Sequence, residues 1–444
     1  MAERTANTEL RGLFTESGWT FDQCARAVNR VGTERGTRLR YNGSAVHHRL
    51  GGTMPREPVR SLIIEAFARR LNRPITRREA GFPEPIDQVS DPVGTVEGLI
   101  ELGRTDVDPS RRGVLGAGLF SVALTVPGWP DVIARVEGIQ TGKTTRIGMA
   151  DVQMVVAMTE RVSDLDDEFG GRYARPMAAS FLINTVAPAL NAGGSEEARA
   201  AMRSAASDLC YLTGYMAVDE GEHHLAQQYY VKALELAGAA QDHLTYCTTL
   251  RGMSVQAVDL GHGAEAMRLA DAAAAASPHA GPRMRAFLAG QQAHAYAQMG
   301  DRHAALSYMK EAEVAMEKAE SRATTFASYN PSSLLYHVGQ VKYELGDVRG
   351  SIVALGESDA VRHRSFQRNR SRFLSLMAER QLDIGHLEAA CETWGKVLDI
   401  YPHVRSGQCD HRIAVMRERI RPYLKNRLAQ ALHERAKAAK PLAV

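Results

Sequence analysis

Apolar side chains recur along this chain at three- and four-residue spacing, the period of helices packed on one face. Near the N terminus Leu10, Leu13 and Phe14 share such a face, and Gly18-Trp19 breaks it. Thr20-Phe-Asp-Gln23 has the form of a capping box, and Phe21, Cys24, Ala25 and Val28 give the stripe of a second short helix. Asn42 is placed to cap a third helix, 43–50, which Gly51-Gly52 stops. Val59, Leu62, Ile63, Ala66, Phe67 and Leu71 mark a fourth. In the third helix Ala45, Val46 and Leu50 face a core, and Ser44, His47, His48 and Arg49 point away from it.

The second half carries a repeat. A glycine is followed five residues later by a small residue at Gly221/Ala226, Gly261/Ala266, Gly300/Ala305, Gly346/Ser351 and Gly385/Ala390. Successive glycines lie 40, 39, 46 and 39 residues apart. At +9 and +12 stand Tyr230 and Ala233, Ala270 and Ala273, Met309 and Ala312, Leu355 and Ser358, Trp394 and Val397. Seven residues before each glycine stands Gly214, Ser254, Ala293, Gly339 or Ala378. Small residues let two helices touch and one large residue fills the gap, which is the logic of tetratricopeptide hairpins. The period exceeds the usual ~34 residues, so helices or loops are longer than standard. The predicted fold is therefore all-α: a small N-terminal helical domain, then a helical-hairpin solenoid. A long helix over 411–438, with Ile413, Met416, Ile420, Leu424, Leu428 and Leu432 on one face, is expected to cap it.

In such stacks the first helix of each hairpin faces the concave side. Counting back from each glycine places Asp208, Tyr211 and Tyr215, then Thr248, Arg251 and Asp259, in the groove. The same count gives Phe287, His294 and Gln298, then Tyr336, Gln340 and Tyr343, then Arg372 and Glu379. From this set Tyr211, Tyr215, Arg251, Phe287, His294, Gln298, Tyr336, Gln340, Tyr343 and Arg372 are the candidate ligand-binding residues. Aromatics beside amides and a few charges suit a peptide or a small amphipathic molecule.

Charge sharpens the picture of the N-terminal part. Residues 1–86 hold 15 Arg and no Lys against 9 acidic side chains, and 411–444 hold 9 basic against 2 acidic. With a chain total of +3, residues 87–410 are acidic, at −10. A basic head implies an anionic partner. Four short helices, the third polar and stopped by glycine, form a helix-turn-helix plan. Double-stranded DNA is the expected partner, with Asn42, Ser44, His47, His48 and Arg49 at the groove and Arg35, Arg38 and Arg40 on phosphates or the minor groove.

Other chemistry finds little support. Five scattered cysteines without a C-x-x-C pair fit a reducing cytoplasm rather than disulfides or zinc. No apolar run reaches the ~18–20 residues of a membrane span. Arg111-Arg112 before an apolar stretch resembles a twin-arginine export signal but lies deep in the chain. Gly142-Lys143-Thr144 lacks the earlier glycine of a phosphate loop, since position 137 is Glu. Adjacent His47-His48 lack the spacing to share a metal, and Asp164, Asp166, Asp167 and Glu168 read as an acidic helix end. No catalytic motif, cofactor site or metal site is expected.

One stretch carries a family resemblance. Ser44-Ala-Val-His-His-Arg-Leu-Gly-Gly-Thr-Met-Pro55 resembles the third helix and following turn of Xre-type helix-turn-helix regulators of actinomycetes, with Arg49 where a tryptophan is common. Leu165–Arg175 and Leu212–Gly221 look like parts of such regulators that carry tetratricopeptide bodies. The resemblance implies transcriptional control, often of development or secondary metabolism. The architecture is also similar to peptide-sensing quorum regulators of Gram-positive bacteria.

The expected organisation is a DNA-binding domain at 1–86, a linker with connecting helices at 87–150, repeats at 151–410 and a capping helix at 411–444. The expected protein is a cytoplasmic, homodimeric transcription regulator whose repeats bind a signal peptide, a small molecule or a partner protein. A tetratricopeptide scaffold without DNA binding is the alternative.

Overall fold

The computed structural model describes residues 6–34, 39–56, 59–71, 75, 77–82, 94–107, 120, 121, 124, 146–278, 280–319 and 329–439. Among them the chain is helical, with one two-residue parallel bridge, Arg146–Ile147 beside Gly193–Gly194. These residues fall into two compact units, one within Met1–Val93 and Gly116–Val126, the other within Gly94–Leu115 and Pro127–Val444.

The N-terminal unit holds α1 (Thr8–Ser17), α2 (Phe21–Glu34), α3 (Gly43–Leu50) and α4 (Val59–Leu71). Each of the first three starts where its side chains can cap it. Asn7 accepts from the Leu10 amide at 2.8 Å, and Asn42 from the Ala45 amide at 2.9 Å. Thr20 and Gln23 exchange the two bonds of a capping box, at 2.9 and 3.3 Å. The core joins Leu10 and Leu13, Cys24 and Val28, Val46 and Leu50, and Leu62, Ile63 and Phe67. Asn7 also donates to the Ala80 carbonyl at 3.0 Å, tying the chain's start to the turn that follows α4. Phe21 departs from its expected core place. It is 40% exposed and stacks on Phe14, because the first residue of α2 lies beyond the buried stripe.

The second unit opens with α5 (Thr95–Val107), α6 (Met149–Phe169) and α7 (Gly171–Phe181). A π-turn, Leu182–Val186, leads into the short α8 (Ala187–Leu190). The expected linker thus contains a packed helix. The Asp106 carboxylate on α5 is buried against the Arg175 guanidinium of α7 and accepts from the Tyr229 hydroxyl at 3.0 Å. Most of 87–145, including Arg111-Arg112 and Gly142–Thr144, lies outside the described residues.

Five hairpins follow: α9/α10 (Glu196–Asp219, His223–Ala240), α11/α12 (His243–Asp259, Gly263–Ala275) and α13/α14 (Pro282–Gln298, Arg302–Glu317). The last two are α15/α16 (Pro331–Glu344, Val348–Ala360) and α17/α18 (Gln367–Asp383, Leu387–Ile400). Each repeat glycine sits in the turn inside a hairpin, with φ of +81, +76, +79, +87 and +82° in chain order. There its amide bonds the carbonyl three residues back, and the next amide bonds the carbonyl five back. This is the Schellman ending, which needs a left-handed residue. The longer 46-residue spacing comes from the connection between α14 and α15, most of which is outside the described residues.

The small positions do what small residues permit. Ala226, Ala266, Ala305, Ser351 and Ala390 are fully buried. A Cβ added to Gly214 would stand 2.9 Å from the Tyr230 ring, and one added to Gly339 3.1 Å from Leu355. Position −7 of the first helix therefore lies against the large +9 residue of the second. Where −7 is Ser254, its hydroxyl donates to the Ala266 carbonyl at 2.7 Å.

After α18 the chain returns to the first hairpin. Arg405 exchanges backbone bonds with Phe169 (2.6 Å) and Arg172 (3.2 Å), and the Ser406 hydroxyl donates to Asp219 at 2.6 Å. The expected single capping helix is two, α19 (Gly407–Ile420) and α20 (Arg427–Ala438). Pro422 lacks the amide a continuing helix requires. After that break the buried face runs through Ala429, Leu432 and Ala436, and Leu428 is exposed, so the expected stripe holds for Ile413, Met416 and Ile420 and then shifts.

Candidate functional site

A cavity of about 470 Å³ lies inside the repeat unit, walled by the first helices of all five hairpins and closed on one side by α6. Side-chain caps set where several of these helices begin. Ser195 accepts from the Ala198 amide (3.2 Å), Asp242 from Leu244 and Thr245 (3.0 and 3.1 Å), and Asn330 from Ser333 (3.0 Å). With the glycine turns at their far ends, the helices hold their inward residues at one level.

Of the candidate ligand-binding residues, Tyr211, Tyr215, Arg251, Phe287, His294, Tyr336 and Arg372 line this cavity, as does Asp259. Gln298, Gln340 and Tyr343 do not, and each is occupied elsewhere. Gln298 donates to the Val258 carbonyl at 2.9 Å. Gln340 accepts from the Arg380 guanidinium, which also lies 4.1 Å from the centre of the half-exposed Tyr343 ring. Distance from the glycine does not separate them, since Tyr215 and His294, six before their glycines, and Asp259, two before, do line the cavity. Thr248 bonds its own helix, to the Leu244 carbonyl at 2.8 Å, and Glu379 accepts from Arg412 at 3.1 and 3.2 Å.

Sequence reasoning missed most of the wall. Asp164, Asp166 and Asp167 come from α6, ahead of the repeat, where no glycine offset reaches. Far from a plain acidic helix end, Asp166 is buried and receives the Arg368 guanidinium at 2.7 Å. Arg368 and Phe373, seventeen and twelve residues before Gly385, fall between or beyond the counted offsets. Gln291 and His337 share an uncounted offset, nine before their glycines, and that shared spacing was the available signal.

Two of the four cavity arginines are matched to carboxylates. Arg372 places two bonds on Asp259, at 2.8 and 2.7 Å. Arg368 serves Asp166, Asp167 (3.4 Å) and Asp219 (3.7 Å). Burial pushes the Asp166 carboxyl well above the ordinary range, against the pull of Arg368. Arg251 and Arg362 have no carboxylate within ion-pair distance among the described residues. Arg251 lies over Phe287, 4.0 Å from the ring centre, and Arg362 over Phe373 at 4.5 Å. Tyr336 and Phe373 stack at 3.9 Å. Burial pushes His294 down to about 4 and, with Arg251 beside it, holds His337 well below its ordinary range, so both imidazoles are neutral near pH 7. The His337 ring bonds the Tyr329 hydroxyl at 2.7 Å. The wall is thus aromatic and neutral around Arg251, and ionic around Arg368 and Arg372. The cysteines are buried outside this wall.

In the N-terminal unit Ser44, His47 and His48 are exposed on α3 while Val46 and Leu50 are buried, as the pattern predicts. Arg40 is exposed. Arg35 and Arg38 lie outside the described residues. The Asn42 side-chain oxygen is spent on its cap. Arg49 is half-buried, and its guanidinium bonds the Tyr41 hydroxyl at 2.9 Å and the Thr53 carbonyl at 3.3 Å, bracing the segments that flank α3.

A family model described as the SP15 N-terminal domain matches residues 10–83. No curated protein matches the chain. Among solved structures, the crystal structure of the APC/C hetero-tetramer Cut9-Hcn1 is similar at 13% identity and a TM-score of 0.34, over 97% of this chain and 74% of that one. At that score the likeness does not extend to the course of the chain. The repeat fold rests on the five shared turns and the packing they organise. No helix among the described residues is long and apolar enough to cross a membrane.

Proposed function

We propose that this protein is a ligand-responsive transcription regulator, holding its ligand in the repeat cavity and contacting double-stranded DNA through α3. The cavity carries the reading: about 470 Å³ is within the range of small-molecule sites, and every hairpin contributes to its wall. A ligand there bridges helices from both ends of the stack, so its binding favours one arrangement of the hairpins over others. For the DNA half, the support is an eight-residue helix with an exposed polar face, Ser44, His47 and His48, near the exposed Arg40. So short a helix reads few bases, and a homodimer reading two half-sites supplies the missing specificity. A DNA partner places the protein in the cytoplasm.

The test is selection of genomic fragments by the full chain, then gel shifts of the enriched sequences at several salt concentrations. The affinity is expected to fall with salt at a slope of roughly −0.9 per phosphate contacted. Ser44→Ala and His47→Ala should reduce discrimination among sequences, and Arg40→Ala should weaken all of them alike.

One observation favours a second reading, a protein scaffold. With Arg49 drawn onto Tyr41 and Thr53, α3 shows few cations outward. Failure to enrich any fragment, together with a protein captured on the repeat unit, supports the scaffold.

A further inference from the structure

Arg251 stands apart in the cavity. No carboxylate pairs with it among the described residues, and its Nε has no hydrogen-bond partner. Its surroundings are the neutral groups Tyr211, Phe287, His294 and His337, with the His337 Nε2 3.4 Å from one guanidinium nitrogen. A guanidinium held over a ring face by cation–π attraction still needs acceptors for its N–H donors. One turn beyond Phe287 on α13, Gln291 is 1% exposed, and its Oε1 has no partner while its Nε2 donates to Ser254 at 2.9 Å. The cavity therefore offers an unsatisfied cationic donor and an unsatisfied acceptor on neighbouring helices. The same wall carries the stacked rings of Tyr336 and Phe373, with Arg362 over Phe373.

Resting on the reading of this cavity as a ligand site, we propose that its ligand is a small organic anion with a flat unsaturated body and an N–H or O–H group, the anionic group on Arg251 and the donor on Gln291. A buried cation without a counter-ion is costly, and an incoming anion removes that cost. Three of the acidic side chains on the wall are already matched, Asp166 and Asp167 by Arg368 and Asp259 by Arg372. Arg362 is a second cation with no carboxylate within ion-pair distance among the described residues, and burial pushes it down to about 10 against the pull of Asp359 and Asp167.

Two probes of the same shape separate charge from apolar fit. 8-Anilinonaphthalene-1-sulfonate carries an anion and an N–H on an aromatic body, and N-phenyl-1-naphthylamine has that body without the sulfonate. Fluorescence and calorimetric titrations of the full folded chain are expected to show one site, with the sulfonate bound at least tenfold more tightly. Arg251→Gln should erase that preference while leaving the neutral probe's affinity within about twofold, and Gln291→Met should weaken the sulfonate probe severalfold. Arg251→Lys, which keeps a charge, should retain part of the preference. Equal binding of the two probes to the unaltered chain overturns the anionic assignment and leaves the cavity as an apolar ligand site. Absence of binding by either overturns the ligand site itself. Because the decisive comparison uses the unaltered chain, a variant that fails to fold does not blunt the test.

Discussion

The Schellman turns give a prediction whose sign reverses between two sites of one motif. Six turns in the repeat unit share the same pair of backbone bonds, and five of them place glycine at the left-handed position. The sixth, between α10 and α11, places Gln241 there at φ +54°, the one described residue other than glycine with positive φ. Its amide bonds the Gly238 carbonyl at 3.0 Å, and the Asp242 amide bonds Ala237 at 2.8 Å. A side chain in this conformation costs about 1–2 kcal/mol, and glycine returns about 0.4–1 kcal/mol of that through the freedom of the unfolded chain. Gln241 is exposed, so Gln241→Gly loses no packing and should stabilise by about 0.5–1 kcal/mol. Gly300→Ala is the converse. Nothing lies within 4 Å of the added Cβ, so the whole effect is conformational, a loss of about 0.5–1 kcal/mol. Urea unfolding followed by helical circular dichroism measures both, the shared slope confirming that the same transition is read. A neutral or stabilising Gly300→Ala, or a destabilising Gln241→Gly, refutes the account of the turns.

Three further outcomes follow from the packing. Arg368→Met strands the buried Asp166 and should cost about 3–5 kcal/mol in the same assay, far more than Lys396→Met in the exposed pair with Glu392. Gly214→Ala drives a methyl into the Tyr230 ring and should cost about 1–3 kcal/mol, whereas Gly221→Ala, with open space around it, costs only its left-handed penalty. Burial pushes the Asp208 carboxyl up to about 7, so between roughly pH 4 and 7 the folded chain holds a proton that the unfolded chain has released, and stability falls as pH rises through that window. Asp208→Asn should flatten that part of the stability–pH profile, and an unchanged slope contradicts it.

The pattern of the hairpins is local, and it was legible. Each is written by a glycine and the small residues at −7, +5 and +12, because a Schellman turn spans six residues and two touching helices need room only along one line. The same holds for α1 to α4, whose caps and stripes lie within a few residues of each other. The candidate wall was legible in part. Offsets within the first helices found Tyr211, Tyr215, Arg251, Phe287, His294, Tyr336 and Arg372, while Gln298, Gln340 and Tyr343 fall outside the cavity wall. The offsets carried no information on Asp166, since α6 precedes the repeat, nor on the return of residues 404–410 to the first hairpin.

The chain's own order of residues thus determined that paired helices form, where each pair bends, and which side chains share a face. Only the tertiary structure decided which of those faces meet, that Arg368 and Arg372 are neutralised by acids more than a hundred residues away, and that Arg251 is not. The reason is cumulative: the small rotation from each hairpin to the next, summed over five, sets who meets across the cavity, and no window of sequence contains that sum.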